Sequence, residues 1–160
     1  SASTNNWEGV TLVETNNTGD ANYPKISIDS FGNAVVVWQQ SDGTFTHIWA
    51  NHYTNSTGTW GLAKPLEANN SGHAIYPQVA TDGFGNAIAT WSQYDGSFNN
   101  IYSNRYTAST GTWETPTLLE TENKGAAYVH HIAMNFSGDA VVVWNQYSEQ
   151  FFNIWANVYQ

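Results

Sequence analysis

The chain has 160 residues, 41% of them hydrophobic, which suffices for one ordinary domain with a buried core. Four Lys and Arg stand against thirteen Asp and Glu, a formal net charge of −9 that repels a nucleic-acid backbone or an anionic membrane at long range. The absence of cysteine excludes a disulfide framework and thiolate metal sites, and no run of about 18 apolar residues is present to insert into a bilayer.

In chain order, the first expected element is "GVTLVE" (Gly9 to Glu14), short and β-branched. "PKISID" (Pro24 to Asp29) alternates after a Pro suited to a first strand position, "NAVVVWQQ" (Asn33 to Gln40) is apolar almost throughout, and "FTHIWANHY" (Phe45 to Tyr53) alternates with aromatics. Between them "DSFGN", "SDGT" and "NSTG" carry the glycines that tight hairpins need. No window shows the three-four apolar spacing of a helix.

The pattern then begins again. Trp7, Trp60 and Trp113 lie 53 positions apart, as do Trp38, Trp91 and Trp144, then Ile48, Ile101 and Ile154, then Asn51, Asn104 and Asn157, then Tyr53, Tyr106 and Tyr159. The whole chain, 1–160, therefore reads as one repeat domain with units at approximately 7–59, 60–112 and 113–160. A four-stranded meander at this period is the signature of a β-propeller blade, buried on both faces by its neighbours. The predicted fold is all-β, with three β-propeller-type blades per chain.

The turns "TNSTGTW" (Thr54 to Trp60) and "TASTGTW" (Thr107 to Trp113) carry a resemblance to bacterial β-propeller repeat proteins with Asp-box-like blades. In those a Ser-x-Asp-x-Gly-x-x-Trp turn joins the third and fourth strands. Here Ser56 and Ser109 stand at the Asp position and the Trp comes one residue early, so no particular family function follows.

The phase of the repeat adds an expectation. The chain opens with an outermost-type strand, Gly9 to Glu14, and ends in a third-type strand, Asn153 to Tyr159, so each end supplies what the other lacks. Propellers need about four to eight blades. Completion by self-association through these two strands, as a six-bladed homodimer, is the simplest solution; other ring sizes, an open strand-exchanged polymer and a piece of a longer repeat protein are the alternatives.

Loop length sorts the two ends of the blades. The short turns lie at one end; the long "TNNTGDANY" (Thr15 to Tyr23) and the "QQSDGTF" hairpin (Gln39 to Phe45) lie at the other, repeated as "ANNSGHAIY" and "SQYDGSF". Amides, carboxylates and a Tyr there form a kit for gripping sugar hydroxyls beside an aromatic platform. The candidates are Asn17, Asp20, Tyr23, Gln40 and Asp42, then Asn70, His73, Tyr76, Gln93 and Asp95, with Trp49 and Tyr102 on third-type strands. The same Asn, Asp and Gln residues also serve as turn formers and backbone partners, and the third unit departs by placing Ser148 and Glu149 where Asp-Gly stood and His130 in place of Pro.

Catalytic patterns are missing: no nucleophile-base spacing, phosphate loop or calcium loop occurs, and the single arginine, Arg105, cannot form the cluster a sialic-acid carboxylate needs. The reading is a secreted, non-enzymatic module without cofactor or metal that binds a carbohydrate or cell-surface ligand through repeated weak loop sites. The alternative is a structural subunit of an extracellular assembly or filament linked by its terminal strands.

Overall fold

The computed structural model describes residues 6–7, 9–68, 72–122 and 124–160. Among them there is no helix, and the strands form three antiparallel sheets in chain order. The first contains β1 (Ala21–Ile28), β2 (Ala34–Ser41) and β3 (Thr46–Thr54), with two short strands, β4 (Thr59–Trp60) and β5 (Lys64–Pro65), both on β3. The second repeats this with β6 (Ala74–Thr81), β7 (Ala87–Tyr94), β8 (Asn99–Thr107), β9 (Thr112–Trp113) and β10 (Thr117–Leu118). The third has β11 (Ala127–Met134), β12 (Ala140–Ser148) and β13 (Phe151–Tyr159), and no outer strand.

The apolar runs become the central strands, as burial on both faces requires. Val35, Val37 and Trp38 of β2 are buried, as is every residue of β7 before Tyr94. The core repeats with the sequence. Ile48, Ala74, Ala89 and Trp91 pack between the first and second sheets; Ile101, Ala127, Val142 and Trp144, each 53 residues on, pack between the second and third. Residues i and i+2 share one face of a strand, so the indole N–H of each central Trp reaches a Gln carbonyl two residues along, Trp38 to Gln40 at 3.1 Å, Trp91 to Gln93 at 3.0 Å and Trp144 to Gln146 at 3.3 Å. Buried indoles are thereby satisfied.

The turn after each inner strand is closed by one Asp/Asn pair. Asp29 Oδ1 accepts the amides of Phe31 and Asn33, and Asn33 Nδ2 donates to Asp29 Oδ2 at 2.8 Å. Asp82 and Asn86 repeat this. In the third turn the two residue types are exchanged, Asn135 holding the amides and donating to Asp139 at 2.7 Å. Gly32, Gly85 and Gly138 take φ of 84°, 87° and 100°, which demands glycine in each turn.

Two strand expectations are corrected. Residues 9–14 are not a strand, because among the described residues no strand pairs with them; their equivalents 64–65 and 117–118 are strands only by pairing with β3 and β8. In the first two sheets the single fourth strand expected is two separate pieces of two residues, with the turns between Thr54 and Thr59 and between Thr107 and Thr112 leading into the first piece. The three sheets do not close on themselves within the described chain.

Candidate functional site

Each inner strand carries a bulge near its start. The register slips between Asn22 and Lys25 in β1, between Ile75 and Gln78 in β6, and between Tyr128 and His131 in β11. Pro24 and Pro77 sit within the first two slips; a proline has no N–H for the ladder, and the bulge absorbs that loss. The residue before each proline, and before His130 at the third slip, takes positive φ, Tyr23 at 54°, Tyr76 at 57° and Val129 at 44°. A bulky side chain in this region costs on the order of 1 kcal/mol or more, a strain that concentrates at functional positions.

The strain turns two rings outward. Tyr23 is 55% and Tyr76 48% exposed, and their ring centroids stand 5.5 Å apart at 86°, so adjacent sheets present one paired aromatic surface. Gln39 of the first sheet fixes the second bulge by accepting the Tyr76 amide at 3.0 Å. At the third position Val129 is exposed without an aromatic ring.

The loops around this pair are held from beneath. Gln40 is 2% exposed; its Nε2 donates to the carbonyls of Asn16 and Gly19 while its Oε1 takes the Trp38 indole, so it straps the loop to the sheet and does not present itself to a ligand. Gln146 does the same with Glu122 and Gly125, and Gln93 is buried at the matching place. Asn17 and Asp20, by contrast, are exposed above the strap. Asp42 Oδ1 accepts the amides of Thr44 and Phe45, which hold its carboxyl down at about 2. Asp95 accepts those of Ser97 and Phe98 in the same way.

His73 is exposed and ties two sheets together, its Nδ1 accepting the Thr46 amide at 3.1 Å with its ring edge-on to Phe45 at 5.5 Å. Trp49 and Tyr102 are half-buried in mid-strand opposite Trp38 and Trp91, and Tyr102 stacks on Trp91 at 6.2 Å and 16°. They belong to the packing of the outer strands. Asn70 lies outside the described residues.

A polar chain beneath the hairpin escapes sequence reasoning. His47 Nε2 meets Asp42 Oδ2 at 3.0 Å and its Nδ1 meets Glu67 Oε2 at 3.2 Å, while the other Glu67 oxygen accepts the Ile48 amide. Burial pushes the Glu67 carboxyl up to about 7. In the second sheet Asn100 replaces the histidine and donates to Asp95 Oδ2 at 2.7 Å, and Glu120, likewise raised by burial to about 7, accepts the Ile101 amide and Gln146 Nε2. The signal was present in the period of Glu14, Glu67 and Glu120, but His47 recurs only as Asn100 and Asn153. Among the described residues no group of His, Asp and Glu is arranged to hold a metal ion.

His130, in the place of the prolines, is 3% exposed; burial pushes its imidazole down to about 4, against the opposing pull of the Thr90 backbone. His131 beside it is exposed, so the two imidazoles do not converge.

Comparison with known proteins places this geometry in a wider fold. No family model and no curated protein matches the sequence. Solved structures do match. An endo-arabinase from Bacteroides thetaiotaomicron superposes with a TM-score of 0.56 at 16% identity, covering 94% of this chain and 60% of that one. A Hadza microbial sialidase gives 0.58 at 10% identity over 79% of this chain and 32% of its own, and a protein of unknown function from Dyadobacter fermentans gives 0.58 at 12% over 79% and 34%. The chain thus spans from about a third to 60% of the length of these neighbours, and at such identities the likeness is one of fold: an all-β, propeller-like architecture that also occurs in glycan-active proteins.

Proposed function

We propose that the chain is a secreted, non-enzymatic module that binds glycans through the bulge aromatics and the loops beside them. The observation that carries this reading is the Tyr23–Tyr76 pair, two half-exposed rings held outward on strained backbone where a packed residue would be less costly. Exposed tyrosines stack on the apolar faces of sugar rings, and the neighbouring Asn17 and Asp20 supply an amide and a carboxylate for hydroxyls. Gln40 and Gln93 act in this reading by fixing the loops. Similarity of fold to an endo-arabinase and a sialidase is consistent with a carbohydrate ligand and does not specify one.

The test is a glycan-array screen of the chain followed by calorimetry on any ligand found. Tyr23→Ala with Tyr76→Ala is expected to weaken binding by on the order of tenfold, since stacking contacts contribute about 0.5–1.5 kcal/mol each, while the ligand is recovered uncleaved. Binding that survives the double substitution, or a hydrolysed ligand, overturns the reading.

A second reading, self-association of the terminal strands into an extracellular assembly, is favoured by a separate observation: β13 is an unpaired edge with Phe151, Ile154 and Val158 exposed.

A further inference from the structure

A cleft of about 210 Å³ lies between the first and second sheets. Buried Val35 and half-buried His52 line it from the first sheet, Tyr106 and Trp113 from the second, and Gly61 and exposed Lys64 from the segment that runs along β3. Val35 pairs with His52 at the start of β2, whereas the inner-strand bulge that carries Tyr23 lies beside Gln39 near its end. The cleft and the exposed tyrosine pair are therefore at opposite ends of the strands.

Tyr106 carries the first part of the argument. It is only 9% exposed, its ring held between His52, stacked at 5.3 Å and 28°, and Trp113 at 5.4 Å. Its hydroxyl meets no hydrogen-bond partner among the described residues, and it stands at the cleft wall, 3.9 Å from where a Cβ on the lining residue Gly111 would lie. A polar group so far removed from water is costly to leave unpaired, and what enters the cleft can pair it. The Lys64 ammonium is likewise in ion-pair contact with no carboxylate among the described residues. Burial holds the His52 imidazole below its ordinary value against the field of Asp29, whose own carboxylate is committed to the amides of Phe31 and Asn33.

The next junction shows how the repeat fills the same place from within. Fifty-three residues on, Arg105 stands at the position of His52 and Glu114 at that of Gly61. The backbone is unchanged: Gly61 donates its amide to the His52 carbonyl and Glu114 to the Arg105 carbonyl, each at 2.8 Å. There the cation is answered, Arg105 Nη1 donating to Glu114 Oε1 at 3.0 Å. Gly61 lies outside the left-handed region, so its backbone does not demand glycine; what the residue contributes is room. The first junction thus keeps a cation, at Lys64, and leaves the carboxylate's place open.

We propose that this cleft is a second binding site, for a carboxylate carried on a six-membered ring. The carboxylate takes the place that Glu114 fills in the next junction, pairing with the Lys64 ammonium and accepting the Tyr106 hydroxyl proton in a charge-assisted hydrogen bond, while the ring lies against Trp113. Polar donors set beside an aromatic wall suit a ligand of one such ring. Uronic and aromatic acids share this chemistry. The site is separate from the Tyr23–Tyr76 pair and independent of the function proposed for it.

The test titrates glucuronate, benzoate and neutral glucose into the chain, followed by calorimetry and by chemical shifts of the cleft residues. At least one acid is expected to bind, with glucose about tenfold weaker or more; glucuronate alone would name a sugar acid as the source, benzoate alone an aromatic one. Lys64→Met and Tyr106→Phe, which keep the bulk of each side chain, should each weaken the bound acid by about tenfold. Gly61→Glu, whose Cβ comes 3.3 Å from Asn51 Oδ1, sets the next junction's carboxylate into the cleft and should abolish binding with an unchanged β circular dichroism spectrum. If that variant loses its fold, the Lys64 and Tyr106 variants still decide. Binding of neither acid, glucose bound as tightly as the acids, or affinity that survives Lys64→Met and Tyr106→Phe would each overturn the proposal. Loss of the acid in Tyr23→Ala with Tyr76→Ala would also overturn it, by placing the ligand at the loops. A chain that binds the acid in the cleft and no glycan at the loops refutes the proposed function alone.

Discussion

The second and third sheets are built from nearly the same repeat yet differ in what the repeat achieves. Ile101 on β8 is fully buried; Ile154, 53 residues later on β13, is 78% exposed. Tyr106 packs on Trp113, whereas the Tyr159 ring meets the Arg105 guanidinium at 5.8 Å and is 47% exposed. Identical residues therefore carry different energies according to whether a fourth strand and a following sheet cover them. In a repeat array burial belongs to the junction, not to the unit.

The largest expected effect breaks this comparison directly. Ile101→Ala opens a cavity in a closed junction and should cost about 2–4 kcal/mol in urea unfolding. Ile154→Ala, at an edge position 78% exposed, should change stability by no more than about 0.5 kcal/mol. Equal costs would show that the two positions are covered alike. A concentration-dependent loss at Ile154 would place its burial between chains.

The next effect concerns the carboxylates beneath the hairpins. The Glu67 carboxyl titrates at about 7 in the folded chain against an ordinary 4.5, so between these values the folded state holds a proton the unfolded state has released. Its stabilising contribution is complete below about pH 4.5 and is lost as pH rises through 7, at most about 3 kcal/mol at roughly 1.4 kcal/mol per pH unit. Glu67→Gln, which keeps an acceptor for the Ile48 amide, should flatten the stability profile across this window. An unchanged slope from pH 5 to 7.5 would show that the Glu67 proton does not set it.

His130 works in the opposite direction and distinguishes the third bulge from the first two. Depressed from 6.5 to about 4 by burial, it contributes stability above pH 6.5 that is lost as pH falls through 4. His130→Pro restores the residue of the first two bulges at a place outside the paired register, where no ladder N–H is sacrificed. It should raise stability by about 0.5–1 kcal/mol at neutral pH through the unfolded state, and remove the acid-side loss. Destabilisation would mean that the imidazole holds the third bulge by packing that a pyrrolidine cannot replace.

These contrasts separate what was legible in the sequence from what was not. The 53-residue period, the apolar central strands and the Asp-Asn turns are local, and Val35 to Trp38 or Asp29 to Asn33 announce them without a partner. Residues 9–14 looked like a strand because their composition is that of one, but strand formation there is decided by a pairing neighbour, as it is for Lys64–Pro65 on β3. Site residues divided by the same logic. Tyr23 and Tyr76 could be picked from the loop pattern, whereas Gln40 looked ligand-facing until its amide proved to be occupied by Trp38, Asn16 and Gly19, contacts up to 24 residues away. The Asp42–His47–Glu67 chain was hidden because its middle member changes identity between units, Asn100 keeping the bond to the hairpin Asp95 and not the one to the Glu.

The smallest effect tests whether the third turn is a true equivalent of the others. Asp29 and Asn33 pair as carboxylate and amide; Asn135 and Asp139 pair with the roles exchanged. If only the pairing matters, the double substitution Asn135→Asp with Asp139→Asn should leave stability within about 0.5 kcal/mol. Asn135→Asp alone sets two carboxylates together in the turn and should cost about 1 kcal/mol more than the double change, a coupling measurable by a double-mutant cycle. Additive effects would show that each residue is bound to the backbone independently, Asn135 through the amides of Ser137 and Asp139, and that the side-chain bond at 2.7 Å contributes little.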